Sequence, residues 1–284
     1  MRFIFTLIFI GQLSMLFSQE LATPIFKDTR IINAASVETL RGKKIDVRIG
    51  HRFGDLIGDA GGWQTFYGLE SARDVLIGLD IGLSPKFMVG VNRTKGSGPL
   101  KQLINTSLKY KLISQTENSN PISLSAYTIV SVSTMQSSTN PDAINFFDAF
   151  AHRMVYTAQL IAAKRFSNGF SIQIAPSYTH RNIVEFDDTN GIISLGLASR
   201  IKMTKVLGII LDANIPFSDF RSSENGYYPS LGVGLEIDTG GHRFQFNLTN
   251  SKAMSENDYI PYTTSNWSDS QFRLGFTISR LFNY

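Results

Sequence analysis

The run Ser270-Gln271-Phe272-Arg273-Leu274-Gly275-Phe276-Thr277-Ile278-Ser279-Arg280-Leu281-Phe282-Asn283-Tyr284 decides how this chain is read. Taking every second residue from Phe272 gives Phe272, Leu274, Phe276, Ile278, Arg280, Phe282 and Tyr284. The other register is Arg273, Gly275, Thr277, Ser279, Leu281 and Asn283. A period of two is the signature of a β-strand, and the contrast between the registers gives that strand two very different neighbours.

The same alternation recurs upstream. Ile45, Val47, Ile49 and Phe53 oppose Lys44, Asp46, Arg48 and Arg52, and Ile104, Leu108 and Tyr110 oppose Asn105, Ser107, Lys109 and Lys111. Twelve strands are expected from Lys44 onward. Ten or fourteen follow if the long stretch Phe66–Leu83 divides or if residues 24–33 pair. Short connections at 84–86, 115–120, 167–168, 204 and 239–240 alternate with mostly longer ones at 54–65, 135–152, 182–190, 216–227 and 250–269. The connection at 96–100 is short although it falls on the long side. A surface helix is expected within Asp142–Phe150.

Alternating loop lengths and an even strand number are the pattern of an antiparallel up-and-down β-barrel that spans a bacterial outer membrane. In such a barrel the apolar register faces lipid, both termini lie in the periplasm, and the strand ending in Phe282 and Tyr284 closes the sheet. Aromatic residues cluster near both strand ends, as interfacial girdles do. A soluble β-sandwich alternates in the same way, but it accounts for neither the loop lengths nor the last strand.

Met1-Arg2 followed by the apolar run Phe3–Phe17 reads as a secretory signal peptide of residues 1–18. Residues 19–43 have weak periodicity and contain Pro24, Asn33 and Gly42, so they read as a periplasmic or lumen-inserted arm ahead of the barrel, 44–284. After the amino terminus no run reaches the 18 apolar residues that a helical span needs. The chain has no cysteine, which excludes disulfides and thiolate metal sites. A formal charge of +4 gives no ground for a nucleic-acid partner.

The segment His51-Arg52-Phe53-Gly54, preceded by Thr29-Arg30-Ile31-Ile32-Asn33, resembles a family of Gram-negative outer-membrane β-barrel proteins of unassigned function. Phe66-Tyr67-Gly68-Leu69 and the run Val89–Arg93 extend that resemblance along the mature chain. It implies a barrel and carries no catalytic residues over.

The charges with lumen parity are mixed in sign: Asp46, Arg48, Arg52, Asp74, Asp80, Lys109, Lys111, Arg165, Arg181, Arg200, Lys202, Asp212, Glu236, Asp238, Arg243 and Arg273. Mixed signs fit an interior partly filled by ion pairs, and Arg52 is expected to pair with Asp46, Asp74 or Asp80. The histidines at 51, 152, 180 and 242 lack metal-site spacing, and no G-x-S-x-G nucleophile elbow is present, so no metal, cofactor or enzymatic activity is expected. The expected function is a narrow channel or transport barrel for small polar solutes. A non-conducting barrel holding a periplasmic or surface partner is the alternative, ahead of a lipid hydrolase. Outer-membrane lipid and the barrel assembly machinery are the other expected partners.

Overall fold

The computed structural model describes residues 24–284, so the signal peptide and residues 19–23 of the arm lie outside the described residues. Twelve antiparallel strands form a closed barrel. They are β3 (Lys44–Phe53), β4 (Ala72–Gly82), β5 (Phe87–Thr94), β6 (Leu103–Ile113), β7 (Ser123–Ser133), β8 (Met154–Ser167), β9 (Phe170–Arg181), β10 (Gly191–Lys202), β11 (Leu207–Phe217), β12 (Ser230–Asp238), β13 (His242–Thr249) and β14 (Arg273–Asn283). Each pairs with its sequence neighbours. The ring closes where β14 meets β3, from Gly275 opposite Arg52 to Asn283 opposite Lys44. Closure leaves no unpaired sheet edge, which the hydrocarbon of a membrane requires.

The burial pattern excludes the soluble sandwich. Along β6 the buried register after Leu103 is Asn105, Ser107, Lys109 and Lys111, while Ile104, Leu108 and Tyr110 are exposed. A protein that folds in water would reverse that assignment. Ring pairs gather at the two strand ends, Phe87 with Tyr110 and Phe166 with Phe170 at one, Trp267 with Phe272 and Tyr178 with His180 at the other.

The expected strand Phe66–Leu83 is broken. Phe66, Tyr67 and Gly68 have φ of 47°, 56° and 78°, a left-handed backbone that no strand accommodates. Trp63–Gly68 instead forms 3-10 turns broken by a kink at Thr65, Phe66 and Tyr67, and β4 begins at Ala72. The helix expected within Asp142–Phe150 is replaced by a single 3-10 turn at Phe150–Arg153. Side chains there take the backbone donors a helix would use: Ser138 Oγ accepts from Asn140 N, Asn140 Oδ1 from Asp142 N, and Ser137 Oγ from Phe147 N.

The apolar core lies inside the barrel. Residues 24–43 enter from the short-turn end, double back through the small ladder β1 (Arg30–Ile31) with β2 (Ala34–Ala35), and return to that end, where Lys43 N donates to Gly82 O. β1 and β2 pair with each other and not with the barrel, so the barrel's strand count stays at twelve. From the other end the long connection after β13 folds inward and carries α1 (Glu256–Tyr262), buried over all but its last residue.

Candidate functional site

The lumen is the candidate site, and its two walls differ. On the wall made by β7 to β11, the inward register carries Tyr127, Ile129, Ile161, Ala163, Ala175, Ala198 and Ile210. Ile25, Phe26, Ile31, Ile32, Ala35 and Val37 of the arm pack against them in one buried cluster. Each large aliphatic or aromatic side chain so buried contributes roughly 1.5–3 kcal/mol.

Polar side chains on both walls serve the arm's polar groups. A non-regular backbone in a barrel must find partners for its N–H and C=O groups, and side chains on the strands supply them. Gln245 Oε1 accepts from Ile32 N at 3.1 Å and its Nε2 donates to Arg30 O at 2.9 Å. Gln173 accepts from Val37 N and donates to Ala35 O, both at 2.8 Å. Asp212 accepts from the backbone N–H of Asn33 at 2.8 Å and of Ala34 at 3.1 Å. The Lys109 ammonium donates to three arm carbonyls, Thr29 at 3.0 Å, Ser36 at 2.8 Å and Glu38 at 3.1 Å.

Ion pairs complete this half. The Arg48 guanidinium bridges Asp28 at 2.5 Å and Asp46 at 2.7 Å, Arg243 lies 3.6 Å from Asp28, and Lys111 lies 3.2 Å from Glu38. Burial alone would raise the Asp28 carboxyl, but Arg48 and then Arg243 outweigh it and hold the group at about 2. Asp80 accepts from Thr29 Oγ1 at 3.4 Å. Arg165 stands at the mouth, donating to Pro24 O at 3.4 Å, and Arg200 pairs with Glu236 on the neighbouring wall at 2.6 Å.

Arg52 corrects the sequence expectation. It has no carboxylate within 4 Å; its two terminal nitrogens donate to Asn33 Oδ1 at 2.8 Å and Asn247 Oδ1 at 3.0 Å. The reason is register: Arg48, two pleat repeats nearer the short-turn end, faces Asp46 and the arm's Asp28, while Arg52 meets the tip of the arm. In the same motif His51 points outward and stacks on Phe53, with Phe276 beside it.

The inward loop is held differently. Asp74 accepts from Gly96 N at 3.0 Å and Met254 N at 2.9 Å. Asn257 Nδ2 donates to Ser131 Oγ at 2.8 Å and to the carbonyls of Ile129 and Val155, while its Oδ1 accepts from Thr157. Asp258 accepts from Ser97 N and Gly98 N, both at 2.7 Å. Burial and the nearby Asp74 push the Asp258 carboxyl up to about 7, against the pull of those two N–H groups. Arg273 donates to Asn250 O and Ser265 Oγ. Above α1, Arg181 and Arg221 share Asp188 at 2.7 and 2.5 Å with the Tyr262 ring beneath both guanidinium groups.

Arm and loop meet in mid-lumen. Arg30 Nη2 lies 3.0 Å from Glu256 Oε1 and 3.2 Å from Met254 O, and Ala35 N donates to Glu256 at 3.0 Å. Beside this junction a cavity of about 20 Å³, room for one water, lies between the arm and the opposite wall of Arg48, Asp80, Asn92, Ser107 and Lys109. Among the described residues no group of three or more His, Asp or Glu side chains is placed to hold a metal ion.

The family described as "Membrane bound beta barrel domain (DUF5777)" matches residues 26–282. The chain belongs to that family. No curated protein matches the sequence. Among solved structures, the fold is similar to the KdgM porin, with 8% identity, 84% of this chain and 99% of that chain covered, and a TM-score of 0.50. The NanC porin gives 7% identity over the same shares and a TM-score of 0.49. An outer-membrane channel from Pseudomonas putida F1 gives 16% identity, 88% and 100% coverage, and a TM-score of 0.46. At such identities the likeness concerns the fold alone.

Proposed function

We propose that this membrane β-barrel is an outer-membrane channel for small polar solutes, closed at rest, which opens when the inward loop 250–265 withdraws while the arm stays. The observation that carries this reading is the asymmetry of the lumen. The arm packs its apolar side chains on the β7 to β11 wall, and it meets Arg48, Asp80 and Lys109 of the opposite wall through ion pairs and hydrogen bonds, with a one-water cavity beside them. Withdrawal of the loop frees the long-loop half of the lumen, and in the other half the arm meets that wall through polar contacts that exchange with water. The short turns at one end and long loops at the other support periplasmic termini and an outer-membrane location. A non-enzymatic role agrees with the side chains. Among the described residues no serine or threonine hydroxyl is hydrogen-bonded to a histidine ring, and His180 sits between the rings of Tyr156 and Tyr178.

Planar-bilayer recording tests the reading. The native chain is expected to be mostly closed with brief openings, and a variant whose residues 251–262 are replaced by a Gly-Ser linker is expected to conduct steadily. Silence from both proteins would overturn the channel in favour of a non-conducting barrel that holds a partner.

A further inference from the structure

At the short-turn mouth a recess of about 330 Å³ is lined by Lys27 of the arm, Arg165, Ser171, Arg200, Lys202 and Lys205. Two carboxylates answer these five cations, Glu236 on Arg200 and Asp238 on Lys27. Arg165 bonds only to neutral acceptors: Pro24 O, Ser167 O and Asn168 Oδ1. The ammonium groups of Lys202 and Lys205 have no hydrogen-bond or ion-pair partner among the described residues.

A second observation concerns Arg200, one of the residues that line the recess. Arg200 is only 7% exposed, and while its Nε donates to Glu236, its Nη2 is buried with no hydrogen-bond partner. Gly208, paired with Lys202 across the sheet, leaves the space this nitrogen occupies: a Cβ at 208 would stand 2.9 Å from Nη2. A buried N–H without an acceptor costs about 1–3 kcal/mol, more on a charged group. Turning this guanidinium toward an anionic oxygen in the recess would remove that cost through a charge-assisted bond.

We propose that this recess is an anion site that takes a small solute bearing carboxylate or phosphate groups. Arg200 supplies the directional donor, and Lys202, Lys205 and Arg165 supply the field that draws the anion to the mouth. The site stands whether or not the barrel conducts, so its failure and the failure of the channel reading are separate results. A phosphate could also come from a lipid headgroup at the rim, and the test separates the two sources.

The experiment is calorimetric titration of the mature chain in chloride buffer with citrate and with inorganic phosphate, in nanodiscs of phosphatidylcholine and in nanodiscs containing phosphatidylglycerol. Saturable binding at one site per chain is expected. Arg200→Lys keeps a charge for Glu236 but loses the free Nη2, and it should weaken binding about tenfold or more. The surface variant K202Q/K205Q, which disturbs no buried contact, should weaken it similarly. Lys164→Gln, on the outer face over the Phe166 ring, should leave it unchanged. Binding retained in phosphatidylglycerol discs assigns the site to a soluble anion, and binding abolished there assigns it to the headgroup. Absence of saturable binding in both kinds of disc, or equal weakening by K164Q, would overturn the proposal.

Discussion

The arm at the short-turn end and the loop at the other end both fill the lumen, and they are held by different forces. The arm contributes six apolar side chains to the buried cluster on the β7 to β11 wall. The loop's own apolar cluster is the smaller set Ala253, Tyr259 and Ile260, with Met254 against Gly50, and hydrogen bonds and ion pairs through Asn257, Asp258, Arg273 and Glu256 hold the rest. Apolar burial is forfeited whole when a segment leaves for water, whereas a hydrogen bond exchanged for one to water changes stability by only about 0.5–1.5 kcal/mol. On the proposed reading, this difference makes the arm part of the folded core and the loop the movable gate.

The largest effect should come from cutting into the arm's core. Ile31→Ala is expected to destabilise the whole barrel by about 2–5 kcal/mol, read as a lower urea midpoint for loss of the heat-modifiable folded band. An unchanged midpoint would make the arm a detachable peptide and erase the contrast. Next in size is Glu256→Gln, which removes the partner of buried Arg30. A buried charge left unpaired costs about 3–5 kcal/mol if nothing moves. The loop can move, so the expected outcome is a rise in open probability of about tenfold or more, with the urea midpoint almost unchanged.

A pH effect sharpens the same contrast. The docked Asp258 carboxyl is raised to about 7 from its usual value of 3.8. A raised carboxyl favours the docked loop fully at pH below its free value, and that contribution is lost as pH rises through the docked value. Hydrogen exchange of residues 250–265, corrected for intrinsic rates, should therefore be faster at pH 8 than at pH 6, with residues 24–43 unaffected. Asp258→Asn should abolish the difference. Acceleration of arm and loop alike would mean that they move as one plug. The smallest effect belongs to Lys27, which is 44% exposed in its pair with Asp238. Lys27→Ala should shift the urea midpoint by no more than about 0.5 kcal/mol's worth, since the arm rests on its apolar side.

The outer face of this barrel was legible in the sequence because lipid imposes a simple rule on it, an apolar residue at every second position. The contents of the lumen obey no such rule. The arm's partners are strand side chains such as Gln173, Asp212 and Gln245, each capturing a backbone group far away in sequence, and local periodicity carries no trace of that. Helix α1 is seven residues long, contains Pro261, and is buried through Asn257 and Asp258, so it reads as a polar loop. One signal was present. Tyr127, Ile129, Ile161 and Ile210 put apolar side chains into the otherwise polar register of β7, β8 and β11, and a water-filled lumen would have no use for them. Phe66 and Tyr67 carried no warning, since their left-handed backbone is set by the loop around them.

The most direct measurement uses the absence of native cysteine. A Cβ on residue 98 would stand 2.4 Å from Asp258 Oδ1, so the double variant Gly98→Cys, Asp258→Cys places two thiols within disulfide reach across the contact between loop and wall. In planar bilayers the oxidised protein should be silent and the reduced protein should open. Equal conductance in the two states would contradict a movable loop as the gate.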